Sequence, residues 1–154
     1  MKDTSLHRSH SSEAGKRKLE ICRSLRAKMP SFDDIMTTVV QNGAWWDSFR
    51  QKTVAISQTE TMEPLTTYAT RAYTSSNPAE VGLLALAYAR SANTNHSLYE
   101  TVDHLIISDF AYATTTEGME CLVLLAKSYT DLAQPRRAWF TWRKGLAIAQ
   151  LMVS

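Results

Sequence analysis

Four cations and three aromatic rings crowd into residues 136–144: Arg136, Arg137, Arg143 and Lys144, interleaved with Trp139, Phe140 and Trp142. Cations that grip phosphates beside rings that stack on bases are the equipment of a nucleic-acid-binding helix. Such a helix pools its cations on one face. At helical spacing these do not pool. Arg136, Trp139 and Arg143 fall in one column, and Arg137 with Lys144 in another about 100° away. The pattern instead favours tryptophans filling a helix–helix core, with arginines pairing to acids such as Asp131 or lying along aromatic faces.

Catalytic chemistry finds little to work with. Glu100, Asp103 and His104 share a helix face at i, i+3 and i+4, a spacing open to a metal, but no second cluster completes a site. His7, His10 and His96 lie outside any amphipathic pattern. There is no glycine-rich phosphate loop and no nucleophile motif. Cys22 and Cys121 stand about a hundred residues apart, with neither disulfide-framework nor metal spacing, so a reducing compartment is the default. Cys121 sits in an apolar run and reads as a small core residue. The expectation is a protein that is not an enzyme, with no catalytic, cofactor-binding or metal-ligating residues.

The elements that would hold these residues are helices. Residues 1–12 are polar and read as a disordered lead-in. Leu19, Cys22, Leu25 and Met29 then recur at helical intervals over about 13–28, and Pro30 ends that helix. Ser31 caps a second helix that stops at Asn42-Gly43. A third starts at Ala44, with Trp45 and Trp46 meeting Phe49, and gives way to loop after about Thr53. Glu63-Pro64 opens a helix to about Tyr73. Asn77-Pro78-Ala79-Glu80 has the form of a capping box before a helix, Val81 to about Ala92, that is apolar on nearly all sides and so central. After a polar turn at 93–96, Ser97–Phe110 forms an amphipathic helix. A final pair follows the linker 111–116, turning at Ala133-Gln134-Pro135, with Pro135 at the first position of the last helix. Ala138, Trp142, Gly145, Ile148, Ala149 and Met152 are its inward face. The fold class is all-α: seven or eight helices packed as consecutive antiparallel hairpins.

Within that last helix, Gln134-Pro135-Arg136-Arg137-Ala138-Trp139, then Arg143-Lys144-Gly145-Leu146-Ala147, then Ala149-Gln150-Leu151-Met152, resemble a signature of the fungal-specific transcription factor domain. This is the middle homology region of fungal zinc-cluster transcription factors. The family usually has glycine where Ala133 stands, a second arginine at Lys144 and alanine at Gly145. Upstream, Leu25-Arg26-Ala27-Lys28-Met29-Pro30-Ser31, Trp45-Trp46-Asp47-Ser48 and Asn77-Pro78-Ala79 echo the same family in order. The resemblance implies a nuclear role in transcriptional regulation, through contacts with another protein or a small effector. The residues carried over are Gln134, Pro135, Arg136, Arg137, Ala138, Trp139, Arg143, Gln150, Leu151 and Met152, in structural or interaction roles. Zinc is implied only for the DNA-binding module of full-length relatives, whose cluster needs six cysteines; two are present. Direct DNA contact from this chain is not expected. Residues 13–154 read as a helical regulatory domain incomplete at its C-terminus, the N-terminal part of the family's domain. Relatives continue past Met152, so Trp139, Phe140 or Leu151 should be exposed and favour self-association.

Composition fits a globular helical domain: 44% hydrophobic and 21% charged residues. The net charge of +2 hides an asymmetry. Residues 1–28 hold eight Lys/Arg against three Asp/Glu, and the remainder nine against twelve. Lys16-Arg17-Lys18 is a short basic run, equally a solvated helix face or part of an import signal. No apolar run approaches the ~18 residues of a membrane span. The alternative function is a free-standing tetratricopeptide-like scaffold for protein–protein interaction, placed in the cytoplasm rather than the nucleus. Against it, the last hairpin has no second copy at a period near ~34 residues.

Overall fold

The computed structural model describes the backbone over residues 2–57, 63–93 and 96–153, and side chains over 12–53, 63–93 and 96–153. Among these residues every regular element is helical. In chain order they are α1 (Lys2–Lys28), α2 (Phe32–Asn42), α3 (Trp45–Ser57), α4 (Leu65–Tyr73), α5 (Pro78–Ala92), α6 (Ser97–Val102) continuing as a π-helical turn (Asp103–Ile107), α7 (Phe110–Ala113), α8 (Thr116–Asp131) and α9 (Pro135–Val153). The expected all-α class is the observed one.

The core forms around α5. Val81 to Ala87 are all buried, as an apolar surface on every side demands. Helices α1, α2, α4, α6, α7 and α8 all pack against it. Helices α1 and α2 contact α5 more than they contact each other. The arrangement over this half of the chain is therefore a sheathed central helix rather than a succession of consecutive hairpins. The reason is one of area: α5 offers apolar surface all round, whereas α2 and α4 each offer a single stripe. It also differs from a solenoid, where each unit touches only its neighbours in sequence.

The helix starts follow from their caps. Ser31 Oγ accepts from the Asp34 amide at 3.3 Å, Asn77 Oδ1 from Ala79 at 3.1 Å, and Thr115 Oγ1 from Gly118 at 3.0 Å. The capping box is only half made. Glu80 does not reach back to Asn77 but accepts from Arg71 Nη1 at 3.0 Å and Ser75 Oγ at 2.5 Å.

Boundaries differ in three places. Helix α1 begins at Lys2, so the lead-in expected to be disordered is helical from there. No proline or glycine interrupts residues 2–14, and each added residue of an existing helix gains a hydrogen bond. Helix α3 runs to Ser57 instead of giving way to loop after Thr53. The buried Thr53 hydroxyl donates to the carbonyls of Phe49 and Arg50, each at 3.2 Å, so a polar residue is satisfied inside the helix. Residues 58–60 of that expected loop lie outside the described residues, as do 94–95 of the expected turn. Finally, the helix expected over Ser97–Phe110 stops at Ile107, and Asp109 caps the short α7 by accepting from Ala111 at 3.1 Å.

The upstream segments echoed in the sequence act as staples. Arg26 Nε donates to the Tyr73 carbonyl at 2.6 Å, and its Nη2 donates to that of Ser75. Trp46 Nε1 donates to the Glu63 carbonyl at 2.9 Å, and Trp45 Nε1 to Ser91 Oγ at 3.1 Å. Together they tie α1 and α3 to α4, α5 and their flanking loops.

Among the described residues, helices α8 and α9 share the most extensive contact between two elements. Their turn is a Schellman motif: Gln134 N donates to the Tyr129 carbonyl at 2.9 Å and Ala133 N to that of Thr130 at 3.1 Å. This geometry puts Ala133 at φ 57°, left-handed backbone that a β-carbon disfavours. Eleven residues on from Gln134, Gly145 lies so close to α8 that an added Cβ would stand 2.5 Å from Leu122 Cδ2. Gly118 is tighter still, its virtual Cβ 2.0 Å from the backbone oxygen of Tyr112.

Two substitutions follow with opposite signs. Ala133→Gly relieves the left-handed strain and should raise stability by about 1 kcal/mol. Gly118→Ala must push α7 away from α8 and should cost about 3 kcal/mol. Urea denaturation followed by circular dichroism measures both.

Candidate functional site

Helix α9 carries the motif, and its buried stripe is Ala138, Thr141, Gly145 and Ile148. This corrects the expected inward face. Trp142 is 43% exposed, and Thr141 takes its place, its hydroxyl donating to the Arg137 carbonyl at 2.8 Å. Ala149 is half-buried and Met152 exposed, both beside an apolar groove that Thr116, Met119 and Val123 of α8 also line. The close approach at Gly145 leaves no room for an indole between the helices. Trp139 and Phe140 are likewise exposed, so the aromatic residues do not fill the α8–α9 core.

The motif residues separate into three settings. Gln134 and Pro135 make the turn, with the Gln134 carbonyl accepting from Ala138 N at 3.0 Å. Ala138 is buried in the interface. Arg137 stands at the rim, Nη1 donating to Glu100 Oε1 at 3.0 Å, its guanidinium 5.8 Å from the Tyr129 ring. Lys144 is 3.8 Å from Asp103 Oδ1. Arg136, Trp139, Arg143, Gln150 and Leu151 face outward, and Met152, though exposed, borders the groove on the α8 side. The expected column of Arg136, Trp139 and Arg143 is realised in part as a cation–π contact, Arg143 lying 4.9 Å from the Trp139 ring centre.

The rim acids come from α6 and the π turn. Ser108 N donates to the Asp103 carbonyl at 3.0 Å, the wide hydrogen bond that defines this turn. Glu100, Asp103 and His104 thereby border an open cleft of about 390 Å³ closed on its other sides by Tyr129, Arg137 and Lys144. Burial first, then the Asp103 charge, pushes the Tyr129 hydroxyl up to about 12, with Arg137 opposing. Both carboxylates are engaged by cations. Among the described residues no group of three His, Cys, Asp or Glu side chains is placed to hold a metal ion. Asp131, the acid expected to serve the α9 arginines, pairs instead with Arg90 Nη2 at 2.6 Å.

Sequence spacing did not reveal the pair Arg50–Glu120, which bridges α3 and α8 with both side chains about nine-tenths buried. Arg50 also lies over the rings of Trp46 and Tyr68, at 5.0 and 5.5 Å. The partners are 70 residues apart, so no local periodicity signals them. Cys22 and Cys121 are fully buried, and burial pushes both thiols up. Among the described residues no helix is long and apolar enough to cross a membrane.

No protein-family model matches the chain, and no solved structure matches it. A segment of 57 residues is 37% identical to a transcription factor, sdnS, of Sordaria araneosa. Part of this chain is similar to a fungal transcription factor. The similarity covers 37% of the chain and 7% of the length of that relative.

Burial makes the Arg50–Glu120 pair sensitive to loss of one partner. Arg50→Met strands a buried carboxylate and should cost about 3 kcal/mol, whereas Lys144→Ala at an exposed pair should change stability by under about 0.5 kcal/mol. The pH dependence has a definite sign. Desolvation raises the Glu120 carboxyl above its ordinary 4.5 despite the opposing Arg50. The folded protein therefore keeps this proton to higher pH than the unfolded chain. Stability from this group falls as pH climbs from 4.5 through the raised value. Glu120→Gln should flatten that slope in urea midpoints taken across the window.

Proposed function

We propose that this chain is a regulatory, non-DNA-reading part of a fungal transcription factor, acting in the nucleus through contacts with another protein or a small effector. The observation that carries this reading is the 57-residue similarity to a transcription factor. The surface of α9 supports interaction as the mechanism. Its outer side presents Trp139, Trp142 and Leu146 to solvent, more large apolar surface than an isolated helix face needs. Two of its four cations are neutralised by Glu100 and Asp103, which removes the pooled basic face that phosphate binding uses. The open cleft beside Tyr129 is of a size that small effectors occupy. Zinc has no role in this chain on this reading and belongs to the DNA-binding module of full-length relatives.

A reporter assay tests the proposal. Residues 1–154 fused to a heterologous DNA-binding domain in a fungal host should raise or lower reporter transcription several-fold relative to that domain alone. A fusion that is folded and nuclear but leaves the reporter unchanged overturns it.

A further inference from the structure

We propose that the outer seam of α9 docks an amphipathic helix of another protein, one whose apolar stripe is flanked by carboxylates. Trp139, Trp142 and Leu146 recur along α9 at the three- and four-residue steps of a helix-pairing seam. They are 53%, 43% and 68% exposed, so nothing within the described residues covers this stripe. From Trp139 to Leu146 the seam is about 10 Å long, the reach of two helical turns. Steps of this kind match the i, i+3, i+4, i+7 anchors of a helix laid in a groove. Tryptophan and arginine are also the residue types that dominate binding hot spots.

Charge selects the occupant. Arg136 and Arg143 line one flank of the seam, two turns from each other, and neither has an acidic partner among the described residues. Arg143 lies over the Trp139 ring, which it would share with a partner. The other two cations of the helix are already paired, so the unmatched positive charge lies at the seam itself. A second copy of this chain does not complement it. Antiparallel pairing would set arginine flank against arginine flank, and parallel pairing would set it against Ala138 and Gly145, which are buried. A partner helix bearing Glu or Asp at the facing flank supplies the missing charge and covers the indoles.

The inference rests on the reading of this chain as an interaction module, and binding tests it directly. The probe is a labelled synthetic helical peptide with leucine at the seam positions and glutamate along the flank, titrated with the full chain by fluorescence anisotropy. Micromolar binding is expected. Arg136→Glu combined with Arg143→Glu should weaken it about tenfold or more and should restore binding to a lysine-flanked version of the peptide. Leu146→Ser should weaken it as well. These side chains are exposed, so thermal melts should match the unsubstituted protein. Three results overturn the proposal: equal affinity for glutamate- and lysine-flanked peptides, tighter binding of a single-stranded oligonucleotide, or a dimer in sedimentation that Leu146→Ser dissolves. A reporter that responds without peptide binding sinks the seam alone. Peptide binding with a silent reporter leaves the seam standing and sinks the transcriptional reading.

Discussion

A helix without a polar side must be surrounded. That constraint, written into Val81-Gly82-Leu83-Leu84-Ala85-Leu86-Ala87, organises the molecule. Glycine and alanine within the run keep it thin enough for neighbours to approach on several sides. At Gly82 a β-carbon would already sit 3.0 Å from Ile106. Helices α1, α2, α4, α6, α7 and α8 each contribute one apolar stripe to the same axis. The hydrophobic term is non-directional, so it brings these stripes together but does not orient them. Orientation comes from directed polar contacts at the periphery.

Those contacts share a design. Arg26, Trp45 and Trp46 each send an N–H from a helix to a carbonyl or hydroxyl on α4, α5 or their flanking loops. Carbonyls at helix ends lack intrahelical donors, so these side chains satisfy groups that burial would otherwise leave costly. Arg50 adds a charged version, held between two aromatic rings and a buried carboxylate of α8. The part of α9 that faces α8 relies on a different device, small residues and close approach, and it leaves the opposite side of the helix to solvent.

Much of this was legible in the chain itself. Helix class, most starts, the centrality of α5 and the turn before Pro135 follow from capping residues and apolar period, which are local signals. The exposure of Phe140 and Leu151 was also anticipated, whereas Trp139, expected in the helix–helix core, lies outside it. What escaped was decided at long range. Trp142 and Thr141 are adjacent, and periodicity alone favours the larger apolar residue inside; only the proximity of Leu122 to Gly145 reverses that choice. Asp131 is the nearest acid in sequence to the α9 arginines, yet Arg90 of α5 claims it, and Glu100 and Asp103 serve instead. The start of α1 and the end of α3 were misplaced because polar stretches holding serine and threonine carry weak signals in either direction.

The four tryptophans divide by environment. Trp46 is 1% exposed among rings and Trp45 is tethered to Ser91, whereas Trp139 and Trp142 stand on the surface of α9. Indole emission shifts with the polarity around the ring, so the molecule carries two optical populations in two separate parts of its chain. One pair reports on whether the helical core is intact. The other reports on what lies against the last helix, and it does so without any label.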